Sequence, residues 1–147
     1  MSFHAELHGH YIEDLNVGMT EIYSKTVTDS DIVLYSGVSG DTNPLHLDDD
    51  FAKETIFKGR IAHGMLSAGL ISAIFGTKLP GPGAIYVSQS LRFKAPVRSG
   101  DTVVARVTVT DVAAEKKRVT FECSCHVGTR LVLEGDAVLM VPSRDGA

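Results

Sequence analysis

The sequence predicts an α+β domain in which a curved antiparallel β-sheet wraps around one long buried helix. The first observation is the stretch Gly64 to Phe75, G-M-L-S-A-G-L-I-S-A-I-F, which has no charge, no proline and no amide side chain. Met65, Leu66, Leu70, Ile71, Ile74 and Phe75 spread around a 3.6-residue wheel, and a helix apolar on every side has to be buried. At 1.5 Å per residue it reaches about 18 Å, too short to cross a bilayer that asks for about 20 apolar residues. The second observation is a switch of period. After Leu79-Pro80-Gly81-Pro82-Gly83 the chain turns to alternating segments joined by short polar links. Such links make antiparallel neighbours, and one curved sheet around one apolar helix satisfies both patterns.

A length of 147 residues, 44% of them hydrophobic and 22% charged, suits one globular domain over 1–147. The net charge of -4 argues against a nucleic-acid binder of the basic-patch kind, so an anionic ligand must be met by local charge. Cys123 and Cys125 stand two apart in a segment that reads as one strand, poorly placed to bond to each other. Cys-x-Cys beside His126 lacks the second ligand pair of a zinc site, so strand packing is the better reading. The start of the chain lacks a basic segment followed by an apolar one, and the expected setting is a reduced cytoplasm.

In chain order, residues 1–10, with His4, His8 and His10, read as a flexible polar tail rather than a metal site. Asn16-Val17-Gly18 is a turn signal before a first strand over Met19 to Val27. Thr28 and Asp31 form a capping-box pattern with Asp in place of Glu, and Ile32, Tyr35 and Val38 continue at helical spacing until Ser39-Gly40. Asp41-Thr42-Asn43-Pro44-Leu45-His46 then reads as a rigid polar loop, because Pro44 lacks an N–H and pushes Asn43 toward an extended conformation. A short helix with Asp48, Asp49 and Asp50 in its first turn lies within Leu47 to Thr55. The buried helix follows, opened by His63-Gly64. Strands are expected over Ala84 to Ala95, Thr102 to Val112, Arg118 to Val127 and Leu131 to Val141, the last interrupted at Gly135-Asp136.

The loop holds a compact set of catalytic-type side chains. Asp41 and His46 stand five residues apart across a proline-stiffened bend, so a carboxylate and an imidazole can share a water and move its proton. Spacing alone leaves a plain polar turn equally open. A calcium loop fails, since its sixth position is His46 instead of glycine and its twelfth is Ala52 instead of glutamate. His63 reads as a satisfied buried histidine rather than a direct proton donor. The first turn of the buried helix has no acidic side chain, so its free N–H groups suit an anion or a carbonyl gaining negative charge.

Tyr35-Ser36-Gly37-Val38-Ser39-Gly40-Asp41-Thr42-Asn43-Pro44-Leu45-His46-Leu47-Asp48, followed by Ile61-Ala62-His63-Gly64-Met65-Leu66, resembles the signature of the MaoC-like, (R)-specific enoyl-CoA hydratases. The similarity runs on through Pro80-Gly81 and Ser90-Leu91-Arg92-Phe93-Lys94-Ala95-Pro96-Val97, and is greatest to the short, single-domain hydratases linked to polyhydroxyalkanoate synthesis. The resemblance implies a hot-dog fold, a homodimer with its active site near the subunit interface, and an acyl-CoA substrate with no metal or redox cofactor. It places the catalytic pair on Asp41 and His46, a supporting role on Asn43, and the amide that meets the thioester oxygen on Gly64; His63, beside that amide, is read as a supporting residue from its place in the sequence. An acyl-CoA ligand implied by the resemblance would have Ser72 and Phe75 of the buried helix as candidate acyl-pocket residues, and Arg92 and Lys94, on one face of a strand, as candidates for CoA phosphate contact, with solvated surface charge as the plainer reading. A dehydratase acting on acyl-carrier-protein thioesters and a non-catalytic acyl-thioester-binding hot-dog subunit are the rival expectations.

Overall fold

Alternation builds the sheet. In β4 (Thr102–Ala113), β5 (Arg118–Val127) and β6 (Arg130–Met140) one face is buried: Val103, Ala105, Val107 and Val109, then Val119, Phe121, Cys123 and Cys125, then Leu133, Ala137 and Leu139. The structure, a computed structural model that describes residues 3–146, joins these strands to β1 (Thr20–Thr26), β2 (Ile85–Gln89) and β3 (Arg92–Phe93). The sheet has six strands in the order β1-β4-β5-β6-β2, with β3 also paired to β6, and every pairing is antiparallel. Against its apolar face lies the helix Gly64–Thr77, and Leu66, Leu70, Ile71, Ile74 and Phe75 share one core with the strand residues. Ile71 and Ile74 are fully buried, each contributing about 1.5–3 kcal/mol relative to exposure. A curved sheet around a central helix is the hot-dog arrangement.

The helix Gly64–Thr77 is not buried all round. Gly64, Met65, Gly69, Ser72 and Gly76 form an exposed stripe along it. The sheet curves around only part of the helix circumference, and the residues left outside are mostly small. The side chains of Cys123 and Cys125 point into the core, as neighbours two apart on a strand do. Burial pushes both thiols up to about 12, so they are protonated packing groups at neutral pH.

Three other expectations are corrected. Residues 1–10 were expected to be a flexible tail; 1 and 2 lie outside the described residues, and Phe3–Leu7 is an exposed helical turn, α1. The segment after α1 is tied down: Gly9 N–H donates to Pro82 O at 2.8 Å and His10 N–H to Pro80 O at 2.7 Å. The strand expected over Ala84 to Ala95 is two strands, β2 and β3, broken at Ser90-Leu91. Strand β6, expected to be interrupted at Gly135-Asp136, runs through both without a break. Glycine is required there because an added Cβ would lie 1.8 Å from Ser90 O, so the irregularity belongs to the strand passing over it. Among the described residues, no helix is long and apolar enough to cross a membrane.

Candidate active site

The helix Asp29–Ser39, α2, starts as its sequence asks: Asp31 N–H donates to Thr28 Oγ1 at 3.1 Å and Thr28 N–H to Asp31 Oδ2 at 3.0 Å. Those hydrogen bonds and Lys25 hold the Asp31 carboxyl below its usual range. Gly40, with φ of +79°, ends the helix in the left-handed conformation that glycine adopts without penalty. That reversal delivers Asp41. Its N–H donates to Ser39 Oγ at 3.1 Å, and its Oδ1 accepts from Asn43 N–H at 3.4 Å.

What was expected to be an irregular loop through His46 becomes helical one residue after Asn43. Pro44 occupies the first position of a short turn, Pro44–Leu47 or α3, where its missing N–H costs nothing. Asn43 caps that turn, its Oδ1 accepting from Leu45 N–H at 3.0 Å while its carbonyl accepts from His46 N–H at 2.9 Å. His46 is therefore held by regular backbone. A second short turn, α4 (Asp49–Ala52), is capped by Asp48. Arg60 binds it back to α2 through Asp49, 2.7 Å away, and Asp29, 3.6 Å away.

His46 is buried, and its Nδ1 lies 2.7 Å from Ile61 O. A carbonyl only accepts, so Nδ1 carries the hydrogen and Nε2 keeps the lone pair. The buried His63 ring stacks on it with centroids 3.8 Å apart and planes 28° apart. His63 Nε2 lies 2.9 Å from the backbone oxygen of Asp41 and 3.0 Å from Ser36 Oγ, and by the same reasoning carries its hydrogen. One carboxylate oxygen of Asp41 and one ring nitrogen of each histidine all lie within 4.8 Å of one another. The trio is a poor metal cage. The lone pairs left after these hydrogen bonds are on His46 Nε2 and His63 Nδ1, in nearly parallel planes that cannot both contain an ion about 2 Å from each nitrogen.

His63 is also the residue before the long helix Gly64–Thr77, hereafter α5. No side chain caps this end and no acid stands in its first turn, so its leading N–H groups and dipole face outward. Gly64 needs its missing side chain for space. A Cβ there would lie 2.6 Å from Phe93 Cε1 and 2.8 Å from Cδ1. Asp41, His46, His63 and Gly64 all border one cavity of ≈ 450 Å³, completed by Phe57, Met65, Ser67, Phe93, Lys94 and Val132 among others. Mostly apolar walls with a few polar groups suit a small organic ligand.

Other candidates lie elsewhere. Ser72 and Phe75, expected at an acyl pocket, do not border this cavity of the single chain. The reason is helical phase: Ser72 is on the exposed stripe, and Phe75 faces the core with its ring 4.7 Å from that of Phe121. Arg92 and Lys94 share one carboxylate, Glu134, at 3.7 and 3.8 Å, but only Lys94 borders the cavity. Phe57, Phe93, Ser36 and Ser67 were not legible as site residues. Phe93 lies inside an alternating strand pattern, Ser36 inside a helix, and nothing local marks Phe57 or Ser67.

The family described as MaoC like domain matches residues 17–129. An (R)-specific enoyl-CoA hydratase of Rhodospirillum rubrum is 60% identical over 135 residues, 92% of this chain and 94% of that protein. A 3-hydroxybutyryl-CoA dehydratase of Methylorubrum extorquens is 50% identical over 142 residues, 97% of this chain and 90% of that protein. The solved (R)-hydratase from A. caviae involved in PHA biosynthesis superposes with a TM-score of 0.85 at 41% identity, covering 88% of this chain and 99% of that one. With the family matched across most of its length and near relatives aligned almost end to end, this chain is a member of the MaoC-like family.

Proposed function

We propose that the protein is an (R)-specific 2-enoyl-CoA hydratase, a hydro-lyase that adds water reversibly across the C2–C3 double bond of a (2E)-enoyl-CoA to give the (3R)-3-hydroxyacyl-CoA. The observation that carries the reading is the convergence of Asp41 and His46 beside the uncapped start of α5 in one cavity. The functions named for its R. rubrum and M. extorquens relatives are the two directions of such a reaction.

His46 Nε2 and the Asp41 carboxylate hold one water, orient it toward C3 and take its proton; the pair returns a proton to C2. Asn43 holds the turn in which His46 sits. As the nucleophile adds, negative charge grows on the thioester oxygen, and Gly64 N–H with the α5 dipole meets it. The reaction calls on no metal or redox cofactor. Incubation of the purified protein with crotonyl-CoA, following loss of the enoyl absorbance and the configuration of the product, is the test. No hydration, or an (S) product, would overturn the reading.

Lys94 at the cavity rim serves as a phosphate contact for the CoA portion, and Arg92, two residues before it, adds long-range attraction. The expected result is a KM for crotonyl-CoA that rises with salt, while that for a crotonyl-pantetheine lacking the nucleotide stays flat. Equal salt dependence would remove the assignment.

The working unit is a homodimer. Ile85, Tyr86 and Val87 on β2 are 54%, 40% and 50% exposed, and the small-residue stripe of α5 is exposed as well. A second copy of this chain would cover both and bring Ser72 to the interface, where it could still border an acyl chain. Light scattering should give about twice the 15.8 kDa of one chain; a monomer at micromolar concentration would refute the dimer. A reducing cytoplasm suits the two free thiols.

A further inference from the structure

We propose that His63 is a positioning residue whose Nε2–H, through the backbone oxygen of Asp41, sets where the catalytic carboxylate points, while its ring supports the His46 imidazole. The inference rests on the hydratase reading of Asp41 and His46. Four contacts carry it. The Asp41 carbonyl accepts from His63 Nε2 at 2.9 Å across 22 residues of sequence. Ser36 Oγ, on α2, takes a share of the same hydrogen at 3.0 Å. The His46 and His63 rings stack at 3.8 Å. The Tyr35 ring packs against His63 with its centroid 4.7 Å away. His63 thus touches α2, Asp41 and His46, and its own backbone leads into the first residue of α5.

Without His63, one long-range restraint on the Asp41 backbone would be gone. The other hydrogen bonds at Asp41 run to Ser39 and Asn43, both within two residues of it. Local bonds of that kind shape the turn but do not set its distance from α5. The hydrogen bond from His63 does, because the residue that donates it opens the helix bearing the Gly64 amide. Acid/base pair and oxyanion amide are in this way held in one frame, and small displacements of such groups are costly to turnover. His63 touches neither water nor substrate in this scheme.

The test exploits side-chain length. The Nε2 of glutamine reaches about as far as imidazole Nε2, whereas the amide nitrogen of asparagine stops near the Nδ1 position. Phenylalanine keeps an aromatic face against His46 without any donor. His63→Gln, His63→Asn and His63→Phe are compared in kcat, KM and Tm with crotonyl-CoA, beside His46→Asn. His63→Asn and His63→Phe are expected to lose about 10- to 100-fold in kcat with KM changed less than about threefold, while His63→Gln stays within about fivefold of the parent. Equal losses in all three, losses that follow Tm, or no loss at all would overturn the positioning role. Should the asparagine variant fail to fold, the glutamine–phenylalanine pair makes the same comparison. Full activity in His46→Asn would instead sink the hydratase reading of the pair, whatever the His63 variants do.

Discussion

Asp41→Asn and His46→Asn are each expected to lower kcat for crotonyl-CoA hydration by about 10² or more, with stability little changed. Both substitutions are chosen from the hydrogen bonds around the pair. In Asp41→Asn the amide oxygen still accepts from Asn43 N–H, so the turn is kept while the negative charge that orients water is removed. In His46→Asn the amide nitrogen stands near the former Nδ1 and still donates to Ile61 O, while the Nε2 lone pair is lost. The double variant should be little worse than either single one, since groups that act on one water are not additive. Wild-type turnover in both single variants would remove Asp41 and His46 from the chemistry.

A comparable effect is expected at the start of α5, where the active group belongs to the backbone. Gly64 is the first helical residue, a position that accepts proline because no intrahelical bond uses its N–H. The preceding His63, at φ -61° and ψ 136°, already has the extended conformation that a following proline demands. Phe93 is the obstacle, since any Cβ at position 64 meets its ring. Phe93→Ala makes room, and the informative comparison is Gly64→Pro with Gly64→Ala, both in that background. Each adds a Cβ; only proline removes the N–H. A further loss of about 10²–10³ in kcat for the proline variant is expected if the amide stabilises the oxyanion. Equal rates in the two double variants would assign the oxyanion to another donor.

These experiments draw on two sources of information. The capping box of α2 and the alternation of β4 and β5 could be read along the chain because each is a local rule with a fixed period. The pair Asp41 and His46 could be nominated from spacing, and the resemblance gave the pair its role. Where the sequence reading failed, the deciding partner was distant. Gly135 looked like an interruption of the last strand but is a gap left for the Ser90 backbone. The helix α5 looked apolar all round because glycine, alanine and serine carry no strong polar signal, and only the curvature of the sheet decides which of them stays outside.

The amino-acid sequence by itself determined the alternating strands, the uncharged helix, and a carboxylate and imidazole five residues apart on a stiffened bend. These follow from side-chain period and backbone restriction, which neighbouring residues settle among themselves. Tertiary structure decided that His63 would join Ser36, Asp41 and His46, that Phe93 would lie over Gly64, and that Phe75 would turn to the core. The physical reason is that such contacts depend on where the sheet curves over α5, and that curvature is a property of all the strands packed together.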